Sequence, residues 1–293
     1  MRIGVLCLTL MMGCHTQDDP VDSAAPPLAF FEVGTDGTGL DGITHIARNA
    51  LDGTAIAIGD LDGDGLTDLV FAPGLNAIEV AWATTTGFTR DARGLPSHAA
   101  SALTVADLDG DGRLELVTAA DELRAFTFDG TFTERTDALG LSGVDVSDAV
   151  DILPVDLDLD GRLDLHIGRW GPANQLLIQG ADGVFASSAL LGSPVEESWT
   201  ATWADLDGDH RLDLYVATDT RALDYGEAPP EIDPDLHDRF WTATAGVWTE
   251  HAADLGLDSS RSAMGGLPVD LDSDGILDLW VPNLGRSHAM RFN

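Results

Sequence analysis

Short apolar runs rich in β-branched and aromatic residues recur along most of this chain, and acidic or glycine-rich turns separate them. Runs of this length and composition predict β-strands. In the first repeating unit, a strand at 55–59 enters an acidic loop and a second strand at 69–72 leaves it. A third strand follows at 77–84 and a fourth begins at 87. The pattern predicts an all-β protein assembled from four-stranded units.

The acidic loop has five copies that share one pattern, and they occupy residues 60–69, 107–116, 156–165, 205–214 and 270–279. Counted from the first residue of each copy, positions 1, 3 and 5 are always Asp, position 9 is Asp or Glu, and positions 2 and 10 are always Leu. Oxygen donors at alternating positions can point at one centre while the leucines turn into a core. Gly at position 6 permits a sharp turn with positive φ. Because the fourth copy has His210 there, we expect its site to be the weakest.

Several carboxylates this close together repel one another strongly unless a cation lies between them. Ca²⁺ takes roughly 6–8 oxygen ligands, so the loops predict up to five calcium sites. The predicted ligands are the side chains at positions 1, 3, 5 and 9 and the backbone carbonyl at position 7. In copy order these are Asp60, Asp62, Asp64, Leu66 and Asp68; Asp107, Asp109, Asp111, Arg113 and Glu115; Asp156, Asp158, Asp160, Arg162 and Asp164; Asp205, Asp207, Asp209, Arg211 and Asp213; and Asp270, Asp272, Asp274, Ile276 and Asp278.

The acidic loop has two other possible interpretations, an EF-hand and a metal-free turn. An EF-hand requires a bidentate Glu at position 12 and a helix on each side. Position 12 is instead apolar or β-branched in every copy and lies in a strand-like run, which argues against an EF-hand. An acidic Asp-Gly hairpin turn without an ion is the second interpretation. It fits a single copy, and the fourth copy best, but five copies nearly in phase disfavour it for the set.

The spacing of the loops indicates how the units are arranged. Their first residues lie at 60, 107, 156, 205 and 270, so the intervals are 47, 49, 49 and 65 residues. A period near 48 with four short strands predicts a β-propeller. The fifth unit ends after its third strand, and residues 29–40 resemble the fourth strands of the other units. We therefore predict five blades closed by an N-terminal strand, which would remove the open sheet edge. The alternative is a sixth, degenerate blade within residues 28–59 or in the insertion at about 219–238.

The N-terminal residues predict export. Residues 1–13 contain one Arg, a short, mostly apolar run and a final Gly, and Cys14 follows. This is typical of a signal peptide and too short for a membrane span. Gly13-Cys14 resembles the bacterial lipoprotein signal, in which the Cys is lipidated; a plain secretory signal is the alternative. Residues 14–27 are predicted to be a flexible tether and residues 28–293 the propeller.

Charge and cysteine content narrow the possible partners. The formal net charge is −35, from 50 acidic and 15 basic residues. Nucleic acid is disfavoured as a partner, because contacts to phosphate require Lys and Arg. Both cysteines lie within the first 14 residues, so residues 28–293 contain no internal disulfide and depend on burial and metal for stability.

The loops between paired strands resemble the FG-GAP/VCBS repeats of integrin-α-type β-propellers. The third strand, the Gly-x-Phe start of the fourth and its Gly-Leu end resemble bacterial relatives of cartilage acidic protein. The resemblance implies Ca²⁺ bound through positions 1, 3, 5 and 9 and the carbonyl of position 7. Glu115, longer than Asp, departs from the family pattern and is expected to shift its ion.

Catalytic motifs are missing from the sequence: it contains no HExxH, G-x-S-x-G, CxxC or P-loop. We therefore expect a non-enzymatic, calcium-binding lipoprotein of a bacterial envelope, held at the membrane by its lipid alone. Its expected role is adhesion, scaffolding or binding of a protein or glycan ligand. The alternative is a propeller enzyme that acts on an extracellular polymer such as polysaccharide.

Overall fold

The computed structural model describes residues 55–73, 76–170, 172–188, 198–218, 237–244, 247–257, 263–283 and 288–290. Within these residues, five antiparallel sheets follow one another along the chain. The sequence prediction of an all-β chain made of repeated sheets is therefore confirmed.

The strands of each sheet are consecutive in the chain. Sheet 1 contains β1 (Ala55–Gly59), β2 (Asp68–Ala72), β3 (Glu79–Thr84) and β4 (Gly87–Arg90). Sheet 2 contains β5 (Ala102–Ala106), β6 (Glu115–Ala119), β7 (Leu123–Phe128) and β8 (Phe132–Glu134). Sheet 3 contains β9 (Ala149–Val155), β10 (Asp164–Arg169), β11 (Gln175–Gln179) and β12 (Phe185–Ser188). Sheet 4 contains β13 (Ser198–Ala204), β14 (Asp213–Thr218), β15 (Arg239–Thr244) and β16 (Val247–Glu250). Sheet 5 contains β17 (Leu267–Val269), β18 (Asp278–Val281) and β19 (His288–Met290).

Each acidic loop connects the first and second strands of its sheet. The residue before the loop pairs with position 9 across the hairpin, as Gly59 does with Asp68 and Val155 with Asp164. The same register recurs in the other three sheets. Position 9 is therefore the first residue of a strand in every copy, and its carboxylate lies at the base of the loop.

The first strands of successive sheets contact one another, in the order β1, β5, β9, β13 and β17. Apolar side chains fill the space between neighbouring sheets. Trp82 of sheet 1, for example, is fully buried with its ring centroid 4.8 Å from that of Phe128 in sheet 2. This arrangement is consistent with a propeller-like fold. The predicted closing strand at 29–40 lies outside the described residues, so five blades in a closed ring stay a prediction.

One segment departs from the predicted strand pattern. The predicted Gly-Leu end of the fourth strand is Gly256-Leu257 in sheet 4, but the strand there ends at Glu250 and a short helix, α1 (Ala252–Leu255), follows. Glu250 Oε1 accepts the N–H of Ala252 at 2.8 Å, and Gly256 ends the helix in the left-handed conformation with φ of 69°. No helix in the described part of the chain is long and apolar enough to cross a membrane.

The leucines of the acidic loops mostly behave as predicted. At position 2, Leu61, Leu108, Leu157 and Leu206 are buried, and each anchors its loop to a core. In the fifth copy the prediction is wrong, because Leu271 is 42% exposed. Leu61, Leu108 and Leu206 lie in cores that their own sheet shares with the next one, and no further sheet follows sheet 5 within the described residues.

Candidate metal centres

Three hydrogen bonds define the shape of every acidic loop. In the first copy, the N–H of Gly65 donates to Asp60 Oδ2 at 2.9 Å, that of Leu66 to Asp64 Oδ1 at 2.8 Å, and that of Leu61 to Asp68 Oδ2 at 2.9 Å. The equivalent bonds, 2.8 to 3.0 Å long, are present in the other four copies. The side chains at positions 1, 5 and 9 are therefore fixed by the backbone of their own loop.

The structure brings three of the predicted ligands together in every copy. At positions 1, 3 and 9, one carboxylate oxygen from each residue lies within 4.8 Å of the other two. These groups are Asp60, Asp62 and Asp68; Asp107, Asp109 and Glu115; Asp156, Asp158 and Asp164; Asp205, Asp207 and Asp213; and Asp270, Asp272 and Asp278. Position 9 is 1–2% exposed in all five copies. Each group is thus a cluster of hard oxygen donors with one buried member.

The side chain at position 5 lies outside these groups. Asp64, Asp111, Asp160, Asp209 and Asp274 each accept the N–H of position 7 through Oδ1, as in an Asx turn. Their direct role is to turn the backbone. Ligation by position 5 and by the carbonyl of position 7 stays a prediction.

Two positions of each loop adopt positive φ. At position 6 the four glycines have φ between 88° and 93°, and His210 has φ of 68°. This confirms the expected backbone conformation of His210. Position 4 is also left-handed in all five copies, with Leu159 at 60° and Ser273 at 64° in place of glycine. The sequence reasoning missed position 4, although Gly in three of the five copies was a signal for it.

In the first four copies, the buried carboxyl at position 9 has a raised pKa. Burial is the largest effect: it raises the pKa of Glu115 to about 7 and that of Asp213 to about 6, and it also raises the pKa of Asp68 and Asp164. The N–H at position 2 opposes this shift by stabilising the anion, while the neighbouring carboxylates add to it. These clusters therefore hold more negative charge than their own hydrogen bonds compensate.

Unpaired carboxylate oxygens test whether the clusters fit a cation. Asp62 Oδ1, Asp107 Oδ1 and Asp205 Oδ1 are buried and have no hydrogen-bond partner among the described residues. An unsatisfied buried acceptor costs about 1–3 kcal/mol, and more when it is charged. Each of the three belongs to a different cluster, and an all-oxygen donor set suits a hard cation such as Ca²⁺. The residues present therefore fit the predicted ion.

Arginine contacts distinguish the first and third acidic loops. The Arg93 guanidinium donates to Asp62 Oδ2 at 2.8 Å and lies 3.8 Å from the centroid of the Trp82 ring. In the third copy, Arg162 forms an ion pair with Asp160. Arg93 was not identified from the sequence, because it lies 31 residues from Asp62 and outside the repeat motif.

The buried histidine has a structural environment. His166 is fully buried, its Nδ1 accepts the N–H of Trp203 Nε1 at 2.8 Å, and burial lowers its pKa to about 4. It is therefore neutral near pH 7. The imidazole of His98 bonds to Pro96 O and to Thr118 Oγ1, at 2.8 and 3.0 Å.

A family model described as an FG-GAP-like repeat matches residues 60–118 and 156–216. Each matched segment begins at the first residue of one acidic loop and ends within the strand that follows the next loop, so the two segments contain the first four loops. The chain thus contains FG-GAP-like repeats, as the sequence resemblance implied. The finer resemblance to bacterial relatives of cartilage acidic protein stays a prediction.

Solved structures give weaker likenesses. The biofilm matrix protein Bap1 of V. cholerae aligns with 13% identity and a TM-score of 0.47 over 82% of this chain and 37% of that one. The rhamnogalacturonan lyase PL11 of Bacillus licheniformis aligns with 16% identity and a TM-score of 0.44 over 80% and 46%. The chain spans less than half the length of either protein, and neither score supports an argument about function. No curated protein matches the sequence.

Proposed function

From its FG-GAP-like repeats and its five carboxylate clusters, we propose that this protein is an exported calcium-binding scaffold of a bacterial envelope. In this proposal, Cys14 carries the lipid that anchors it, and the sheets present a binding surface to a protein or glycan. Cys14 and the tether at 14–27 lie outside the described residues, so their part in the proposal depends on the sequence alone.

The observation that carries the calcium proposal is the recurrence of one geometry in five loops. The same three positions bring oxygens within 4.8 Å of one another every time, and in three copies a buried oxygen lacks a partner. Surface acidic residues cluster by chance in single loops, but chance does not fix the same hydrogen bonds five times.

The residues of each loop would use an ion to stabilise a hairpin. Position 9 begins the second strand, and its carboxylate already holds the N–H of position 2, next to the end of the first strand. Positions 1 and 3 extend from the other side of the same loop. Bound Ca²⁺ would offset the repulsion among these carboxylates, and the three side chains would then hold the two strands in register.

We propose a binding role and no catalytic one. The buried imidazole of His166 is engaged by Trp203, and the ring of His98 bonds to Pro96 and Thr118. Of the described carboxyls whose pKa is raised to about 6 or 7, those of Glu115 and Asp213 belong to the metal clusters. The other two are buried and hydrogen-bonded, Asp151 to Thr200 and Asp238 to Tyr215. This supports the non-enzymatic proposal over the polymer-degrading alternative.

The proposal is tested by thermal unfolding of the full chain in Ca²⁺, in Mg²⁺ and after chelation. An ion that binds only the folded state stabilises it by about 2.7 kcal/mol per site at 100-fold excess over its Kd. We expect Ca²⁺ to raise the Tm well above its value in chelator. Mg²⁺ should raise it less, because Mg²⁺ demands a near-ideal octahedral shell.

Matched variants separate the loops from general charge effects. D158N removes a carboxylate from the third cluster and should reduce the Ca²⁺-dependent rise in Tm. D121N removes an equal charge from an exposed turn outside the loops and should leave that rise unchanged. Equal responses of the two variants, or a Tm that ignores chelation, would contradict the proposal.

A further inference from the structure

The second and third acidic loops are connected through one buried side chain, that of Gln179. This residue ends β11 and is 2% exposed. Its side-chain Nε2 donates to the carbonyl of Leu108 at 2.7 Å, across 71 residues of sequence. Leu108 is position 2 of the second loop, so the third strand of sheet 3 reaches the metal loop of sheet 2.

The same glutamine also contacts its own loop. Its backbone N–H donates to Asp164 Oδ1 at 2.7 Å, and Asp164 is the buried member of the third cluster. Its carbonyl accepts from Arg162 Nε at 3.2 Å, and Arg162 forms an ion pair with Asp160 of that loop. Gln179 therefore responds to the position of the third loop through both of its backbone polar groups.

On the other side, Leu108 lies between Gln179 and the second cluster. The N–H of Leu108 donates to Glu115 Oε2 at 2.8 Å, and Glu115 is the buried member of that cluster. The carbonyl that accepts from Gln179 shares its peptide group with the N–H of Asp109, another member. A continuous path of short contacts thus runs from Asp164 through Gln179 and Leu108 to Glu115 and Asp109.

The path is embedded in one rigid core. Leu108, Leu165, Leu177 and Phe185 belong to a single cluster of buried side chains that spans sheets 2 and 3. Close-packed interiors transmit displacement instead of absorbing it. A shift of Asp164 is therefore expected to move Gln179 and the peptide between Leu108 and Asp109.

The described residues at the equivalent positions of sheets 1, 2 and 4 have no such side chain. Gln179 lies two residues beyond the partner of Leu165 in the β10–β11 register. The equivalent residues are Ala83, Phe128 and Ala243 in sheets 1, 2 and 4. Ala83 donates its N–H to Asp68 Oδ1 at 2.8 Å, as Gln179 does to Asp164, but it has no amide to reach a neighbouring loop. The connection is specific to loops 2 and 3.

We infer that Gln179 is a positioning residue that couples ion binding at the second and third loops, so that occupation of one raises the affinity of the other. This inference rests on the proposed calcium binding. When an ion is bound at the third loop, Asp164 is held in place and fixes the position of Gln179. Gln179 then holds the Leu108–Asp109 peptide in the geometry that positions the second cluster. By linkage the effect is reciprocal and equal in both directions.

The test is calorimetric titration of the metal-stripped full chain with Ca²⁺, using a double-mutant cycle. D109N disables the second loop, and Q179M removes the bridging donor at nearly constant volume. In the wild-type background, D109N should abolish one binding event and weaken one of the others at least about fivefold, within the usual range of coupling. In the Q179M background, D109N should abolish one event and leave the rest unchanged.

Two further variants complete the design. D207N makes the same substitution at position 3 of the fourth loop, where Ala243 takes the place of Gln179, and should remove one event without weakening another. If Q179M fails to give a cooperative melt, Q179A takes its place, since alanine is the residue found at 83 and 243.

The outcomes separate the inference from the proposed function. The coupling is overturned, and calcium binding stands, if the wild-type chain binds several ions but D109N weakens no other binding event. The same conclusion follows if D109N weakens another event equally in the wild-type and Q179M backgrounds. A wild-type chain that binds no Ca²⁺ overturns the proposed function and the coupling together.

Discussion

Leu159 is expected to destabilise the third acidic loop through its backbone conformation. It occupies position 4 with φ of 60°, where three of the other copies have glycine. Its side chain is 56% exposed, so little packing compensates for the conformation. At the equivalent Gly63, Gly110 and Gly208, an added Cβ would have no atom within 4 Å beyond the adjacent residues, so this position is open.

The expected gain from L159G follows from two opposing terms. A left-handed conformation costs a non-glycine residue roughly 1–2 kcal/mol. Glycine loses more backbone entropy on folding, and this offsets roughly 0.5–1 kcal/mol of that gain. The free energy of unfolding should therefore rise by about 0.5–1 kcal/mol, which corresponds to a Tm increase of roughly 1–4 °C for a chain of this size.

The assay is urea and thermal unfolding in chelator, where differences in ion binding do not contribute. L159A is the control, because it removes the exposed apolar surface but keeps the Cβ that conflicts with positive φ. H210G, at position 6 of the fourth loop, should give a gain of similar size. A Tm for L159G at or below wild type, or an equal gain in L159A, would refute the strain argument.

Two further predictions concern groups outside the position 9 carboxyls. Burial raises the pKa of Asp151 to about 6, so the folded state binds this proton more tightly than the unfolded chain does. The protonated carboxyl therefore contributes stability that is fully present below about pH 4 and is lost as the pH rises through 6. As the pH rises from 4 to 7, the free energy of unfolding of D151N should therefore increase relative to that of wild type by about 2 kcal/mol, measured from unfolding curves across that range. A difference between the two proteins that does not change with pH would contradict the assignment. R93M should lower stability by about 1 kcal/mol through loss of the stacking on Trp82, and should raise the Ca²⁺ affinity of the first loop because Asp62 Oδ2 loses a competing cation. R90M, which removes an arginine paired with Glu79 on the surface, should leave calorimetric affinities unchanged; equal effects of the two variants would argue against the role of Arg93.

The strands and the loop positions were predictable because both follow local rules. Alternation of Asp and Leu fixes which side chains point into the loop, and the register Gly59–Asp68 follows once the hairpin is closed. The buried state of Leu61 and Leu108 follows from the same alternation. Repetition strengthened each inference, since five copies average out the departures of any one.

The features that the sequence did not reveal depend on contacts between residues far apart in the chain, on backbone φ angles, or on the hydrogen bonds of single side chains. Arg93 and Gln179 reach their loops across 31 and 71 residues, and no periodicity marks them. The left-handed φ of Leu159 was hidden because leucine rarely adopts it. The turn-forming hydrogen bond of Asp64 could not be distinguished from ligation by sequence, since both use the same carboxylate.

The central claim, that the acidic loops are ion sites, is tested most directly by counting the ions bound to the metal-stripped full chain in a calorimetric Ca²⁺ titration. The geometry predicts four or five bound ions per chain, with the Tm rising as they bind. No heat of binding, together with a stable and cooperative melt in chelator, would show that the five loops are acidic turns that fold without a cation.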